Sequence, residues 1–251
     1  MDYPASHLEE FIGKERENYP GENDNLFAFA LSQVSRYERF LRIIVGRYDA
    51  VNREFLSRTE SWSKKMQSHI GTYELTKADL AEWERHSQLN TEVHLEIEAF
   101  YLFAKVLLDH SARFIEHHFG QCRGLSLDSH DDLVKRFARF AGKHQLQVPP
   151  TFIDIARSLK NSVADFRDYE IVHKKKPRTM HATTWGPERE TKMSMPQLYP
   201  RGKELGGVAT QSESLQTLMG AIDAYLSQLT ELILANRDRS RFMKSALNRS
   251  S

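Results

Sequence analysis

Apolar side chains recur at three- and four-residue steps along most of the chain, the spacing that lines one face of an α-helix. The first long run is Phe27, Leu31, Val34, Phe40 or Leu41, Ile44, Tyr48, Val51 and Phe55. It predicts an amphipathic helix of roughly nine turns, with Gly71 breaking the pattern. Arg36, Arg39, Arg42, Arg47 and Arg53 fall on its other face and read as a solvated surface. Thr76, three residues ahead of Asp79, marks the start of the next helix. Leu89, Val93, Ile97, Phe100, Ala104, Leu107 and Phe114 or Ile115 give that helix a buried stripe to about His118. Gly120 and Gly124 then end it.

A shorter helix is predicted from Asp131 to Gly142, with acids at its start to cap it. Pro149 and Pro150 reset the chain, and Phe152, Ala156, Leu159, Val163 and Phe166 set the phase of another helix. The period then disappears from Lys174 to about Gln211, a stretch punctuated by prolines and glycines; Thr179–Trp185 and Thr191–Tyr199 have the composition of a small hairpin. Leu215, Leu218, Ile222, Tyr225 or Leu226, Leu229 and Leu232 or Ile233 form the last helix. Residues 1–25 read as a polar arm holding a short helix around His7 to Ile12. Residues 26–236 read as one helical domain with an irregular insert at 174–211, and residues 237–251 as a basic tail. The expected class is all-α: a four-helix-bundle core with a short extra helix and a long insert before the last helix.

Composition narrows the chemistry. The 251 residues are 40% hydrophobic, enough for a sizeable core, and no apolar run in the sequence approaches membrane-spanning length. Met1–Glu10 lacks the apolar stretch of a secretory signal. Cys122 is the only cysteine, so no internal disulfide forms, and a reducing, cytoplasmic setting is the default expectation. The net charge of +1 argues against a global grip on nucleic-acid backbone, so any such contact is local.

A carboxylate-bridged di-metal site in a helical bundle needs Glu-x-x-His on two helices. Only His173 has a glutamate, Glu170, three residues before it. His94 with Glu98, and Glu116 with His117 and His118, read as ordinary helix-surface groups, so no metal or other cofactor is expected. Cys122 lies in a Gln-Cys-Arg-Gly loop with no partnering motif, which leaves nucleophilic catalysis without support.

The segment from Phe166 to His173 is different. Four arginines are followed by a histidine five to seven positions on: Arg113 with His118, Arg123 with His130, Arg139 with His144, and Arg167 with His173. Only Arg167 is followed by a polar residue, Asp168, and only this pair immediately precedes the last long helix. An imidazole titrates near neutrality and can move a proton on or off a ribose hydroxyl. A guanidinium forks onto phosphate oxygens. On an ideal helix residues six apart point about 120° away from each other, so Arg167 and His173 converge only where the helix ends or distorts, or across a dimer. The run Lys174, Lys175, Lys176 and Arg178 fits either a phosphate grip or a solvated helix end.

Arg167, Asp168 and His173, placed between the helix of residues 152–166 and the last helix, resemble the signature of the HEPN family. The resemblance implies a four-helix bundle, a homodimer that brings two motifs together, and metal-independent cleavage of RNA. It also implies a toxin or phage-defence setting with an antitoxin or other protein partner. It casts Arg167 as the phosphate-stabilising group, His173 as acid and base, and Asp168 as the group that orients them. Against this stand a non-catalytic helical protein-binding scaffold and a nucleotide- or RNA-binding bundle without turnover. His173 continues the core phase of Phe152 to Phe166, so the Arg–His pair is equally readable as structural.

Overall fold

A computed structural model describes residues 7–16, 26–68, 73–164 and 215–241. Six α-helices are described and no strand: α1 (His7–Arg16), α2 (Leu26–Gln67), α3 (Lys77–Phe119), α4 (His130–His144), α5 (Phe152–Leu159) and α6 (Leu215–Ala235). A π-helical turn, Lys160–Ala164, continues α5, and a 3₁₀ turn, Arg237–Arg239, follows α6. The expected hairpin at 179–199 lies outside the described residues.

The two long helices carry the predicted stripes. Leu31, Val34, Leu41, Ile44 and Phe55 of α2 are buried against Leu89, Val93, Ile97, Phe100, Ala104 and Leu107 of α3. α2 outlasts its apolar pattern, running to Gln67. Ion pairs along the helix, Arg58–Glu54 at 3.0 Å and Lys64–Glu60 at 2.6 Å, support this extension. Arg58–Glu82 at 2.7 Å and Arg85–Glu54 at 2.9 Å tie it to α3. α3 starts where the sequence predicts. The Thr76 hydroxyl accepts from the Asp79 N–H at 3.3 Å, and the Asp79 carboxylate accepts from the Thr76 N–H at 2.8 Å. Thr76→Ala removes half of this reciprocal cap and is expected to cost about 1 kcal/mol, measured as a lower urea midpoint; an unchanged midpoint would mean that α3 does not rely on it. The helix ends at Gly120, whose φ of +98° favours a residue without a Cβ.

α4 begins at Ser129, whose hydroxyl accepts from the Asp132 N–H at 3.2 Å. A serine therefore caps this helix, and the acids sit in its first turn. Phe137 and Phe140 of α4, Phe152 of α5 and Tyr225 of α6 close the core; Phe152 lies 5.1 Å from Phe137 and stacks on Tyr225 at 5.5 Å. α6 runs antiparallel to α2: Arg42 pairs with Asp223 at 2.8 Å and the Gln216 amide donates to Asp49 at 2.6 Å.

Two expectations change. α6 is long and apolar enough by length and composition to cross a membrane. Its apolar side chains, from Leu215 through Ile222 and Leu229 to Ile233, are buried in the protein's own core. The arginine stripe of α2 is more than a solvated face: Arg39 pairs with Glu9 of α1, Arg42 with Asp223 of α6, and Arg47 with Glu96 of α3 at 2.6 Å. A helical period assigns these arginines to the polar side, but their acids lie on other helices.

Candidate functional site

Arg167, Asp168, His173, Lys174, Lys175, Lys176 and Arg178 lie outside the described residues. The description runs up to Ala164, three positions before Arg167. The predicted phase holds to that point, with Phe152, Ala156, Leu159 and Val163 all buried. The hydrogen bonding changes from α to π at Lys160, and such single π turns occur often at functional sites.

This turn packs against α3 and α4. Lys160 reaches Asp131 at 3.5 Å. Nearby, Asp109 of α3 accepts from Lys105 on its own helix and from the His130 backbone N–H at 2.9 Å. Lys105 is 8% exposed and His130 is fully buried. The His130 ring lies edge-on to Tyr225 at 5.7 Å, and neither ring nitrogen has a hydrogen-bond partner among the described residues. Burial, with the Lys105 ammonium nearby, lowers its pKa to about 4, so it is neutral at pH 7. The Tyr225 hydroxyl bonds to Ser111 Oγ at 2.8 Å, and burial pushes its pKa up. Lys105, Asp109, Ser111, His130 and Tyr225 form a polar cluster inside the bundle.

Cys122 has a partner that its loop sequence does not show. Its Sγ lies 3.1 Å from His144 Nε2, at the C-terminal end of α4. Both side chains are half-buried, and Phe140 lies 4.5 Å from the imidazole. The histidine gives the thiol a hydrogen-bonding partner that the loop sequence alone does not show.

The histidines near the end of α3 sit differently from the surface placement expected of them. The Glu116 carboxylate accepts from the Leu127 N–H at 3.0 Å and the Ser126 hydroxyl at 3.2 Å, closing the loop after α3. His118 is buried beside Phe114 and Phe119, and burial lowers its pKa to about 3. Among the described residues no three His, Cys, Asp or Glu side chains come together as a metal-ligand set.

A cleft of about 300 Å³ opens at the far end of the α2–α3 pair, lined by Arg58, Thr59, Ser61, Trp62, Lys65, Asp79, Glu82, Trp83 and His86. Thr59 donates to the Phe55 carbonyl at 2.6 Å, so its oxygen accepts from His86 Nε2 at 2.8 Å. His86 also stacks on Phe55 at 4.5 Å, and burial lowers its pKa. Lys65, Tyr73 and Thr76 all bond to Asp79, and Lys65 foremost holds that carboxyl well below the usual carboxylate range.

Periodicity misses this cleft because its walls lie on different helices. The available signal is a pair of tryptophans, Trp62 and Trp83, flanking the predicted break at Gly71. The Cys122–His144 pair has no such signal, its members being 22 residues apart. No protein-family model, curated protein or solved structure matches the chain.

Proposed function

We propose that this chain is a metal-independent endoribonuclease of the HEPN type, working as a homodimer in a toxin or phage-defence setting. Arg167 binds the scissile phosphate and stabilises the charge that builds on it. His173 moves the protons, and Asp168 orients the two. Lys174, Lys175, Lys176 and Arg178 grip the flanking backbone. The RNA 2′-hydroxyl attacks the adjacent phosphorus as His173 takes its proton. The bond to the 5′-oxygen breaks, and the protonated His173 gives its proton to that oxygen, leaving a 2′,3′-cyclic phosphate and a 5′-hydroxyl.

The observation that supports this reading is the buried phase of Phe152, Ala156, Leu159 and Val163, a core-facing helix that runs to within three residues of Arg167. The π turn at Lys160–Ala164 precedes both Arg167 and His173 and does not bear on the angle between them. The all-α architecture of the described residues supports the same reading. Purified full chain incubated with mixed RNA in EDTA is expected to fragment it. RNA left intact by a folded chain overturns the proposal.

A second reading, a non-catalytic helical scaffold with a structural Arg–His pair, draws on the cleft beside Trp83 and on the exposed Leu75 and Leu80. Capture of a protein partner that survives His173→Ala but is lost on deleting residues 179–210, with no RNA cleavage, would favour it.

A further inference from the structure

The last described tie from α6 to α2 joins Gln216 to Asp49. Beyond Asp49, α2 and α3 run on together as an arm about 25 Å long, held stiff by the Arg58, Glu54, Glu82 and Arg85 ion pairs. The arm buries Phe55, Leu89 and Val93, but a pair of helices leaves its outer faces open, and covering an outer apolar face takes a further layer. The arm carries such a face: Trp83 is 65% exposed, Leu75 57% and Leu80 55%.

We propose that the Trp62–His86 cleft receives Trp83 of a second copy of this chain, so that two arms clasp antiparallel into a four-helix layer. Three features select a second copy as the occupant. The protruding indole and the cleft share one patch, with Trp83 and His86 on the same helix. A two-fold interface needs a surface complementary to itself, and a knob beside its own hole provides that. The rim charges come in opposite-sign couples: Arg58 with Glu82, Lys65 with Asp79, Lys64 with Glu60. Two copies therefore approach without like-charge repulsion. The same balance gives no one-sign field to draw in a nucleic acid, an acidic peptide or an anionic membrane. A cleft of about 300 Å³ has room for an indole, and tryptophans in such pockets dominate interface energetics. The clasp supplies the two-fold that the ribonuclease proposal calls for but uses none of its residues, and self-association tests it separately from RNA cleavage.

The test is sedimentation equilibrium of the full chain over a wide concentration range, wild type beside Trp83→Glu and Trp83→Ala. Trp83 is mostly exposed, so both variants keep the fold, checked by circular dichroism and melting temperature. The expected result is a wild-type dimer and at least roughly 30-fold weaker self-association in Trp83→Glu, with Trp83→Ala between the two. A wild-type monomer throughout overturns the proposal, as does a dimer that both substitutions leave unchanged.

Discussion

Replacing His173 by alanine is expected to slow RNA cleavage by roughly 10²–10⁴-fold, the usual contribution of a positioned acid–base group. A circular-dichroism spectrum and melting temperature that match the wild type check that the variant is folded. Arg167→Ala is expected to cost a comparable factor of about 10²–10³, the loss typical of removing one group that stabilises transition-state charge. Arg167→Lys separates charge from shape. Lysine keeps the positive charge but loses the two-pronged donor set, so a small defect would point to a purely electrostatic role and a full defect to a bidentate one. Full cleavage by folded His173→Ala would remove the histidine from the chemistry.

Acidification from pH 7.5 to pH 5 is expected to destabilise the fold by on the order of 4 kcal/mol. Burial lowers the pKa of His118 to about 3 and of His130 to about 4, against 6.5 when unfolded. Between those values the unfolded chain takes up a proton at each site and the folded chain does not. Their contribution is therefore fully present above pH 6.5 and drains away as the pH falls towards the folded values. Each site costs about 1.4 kcal/mol per pH unit across that window. His86, His110 and His117, also lowered chiefly by burial, act in the same direction. Urea denaturation at the two pH values measures the loss. His130→Phe should shrink the pH dependence, and equal stability at both pH values would contradict this account of the two buried imidazoles.

The helices were legible where their causes are local. The Thr76–Asp79 box needs only residues three apart, and the Leu89-to-Ile115 stripe is a repeat within one helix. What escaped depends on partners far away in the chain. α2 passes Phe55 because Glu54 and Arg58 meet Arg85 and Glu82 across the pair. The ion pairs of Arg42 and Arg47 escaped because Asp223 and Glu96 belong to other helices. The π turn left no trace in the apolar period, which Leu159 and Val163 carry straight through it. The buried Lys105 and His130, and the half-buried Asp109 that bonds to both, also escaped, since a polar residue inside the core looks like one on the surface until the packing is known. The Arg167-to-His173 motif was read from spacing and residue type, with no help from the core.

The most direct test of the ribonuclease proposal asks which atom attacks. A short RNA with one labelled end is incubated with the chain in EDTA, beside a copy 2′-O-methylated throughout. The account predicts cleavage of the unmodified RNA to 2′,3′-cyclic phosphate and 5′-hydroxyl ends, with the methylated copy intact because its nucleophile is blocked. Cleavage of both substrates, or of neither by folded protein, would contradict it.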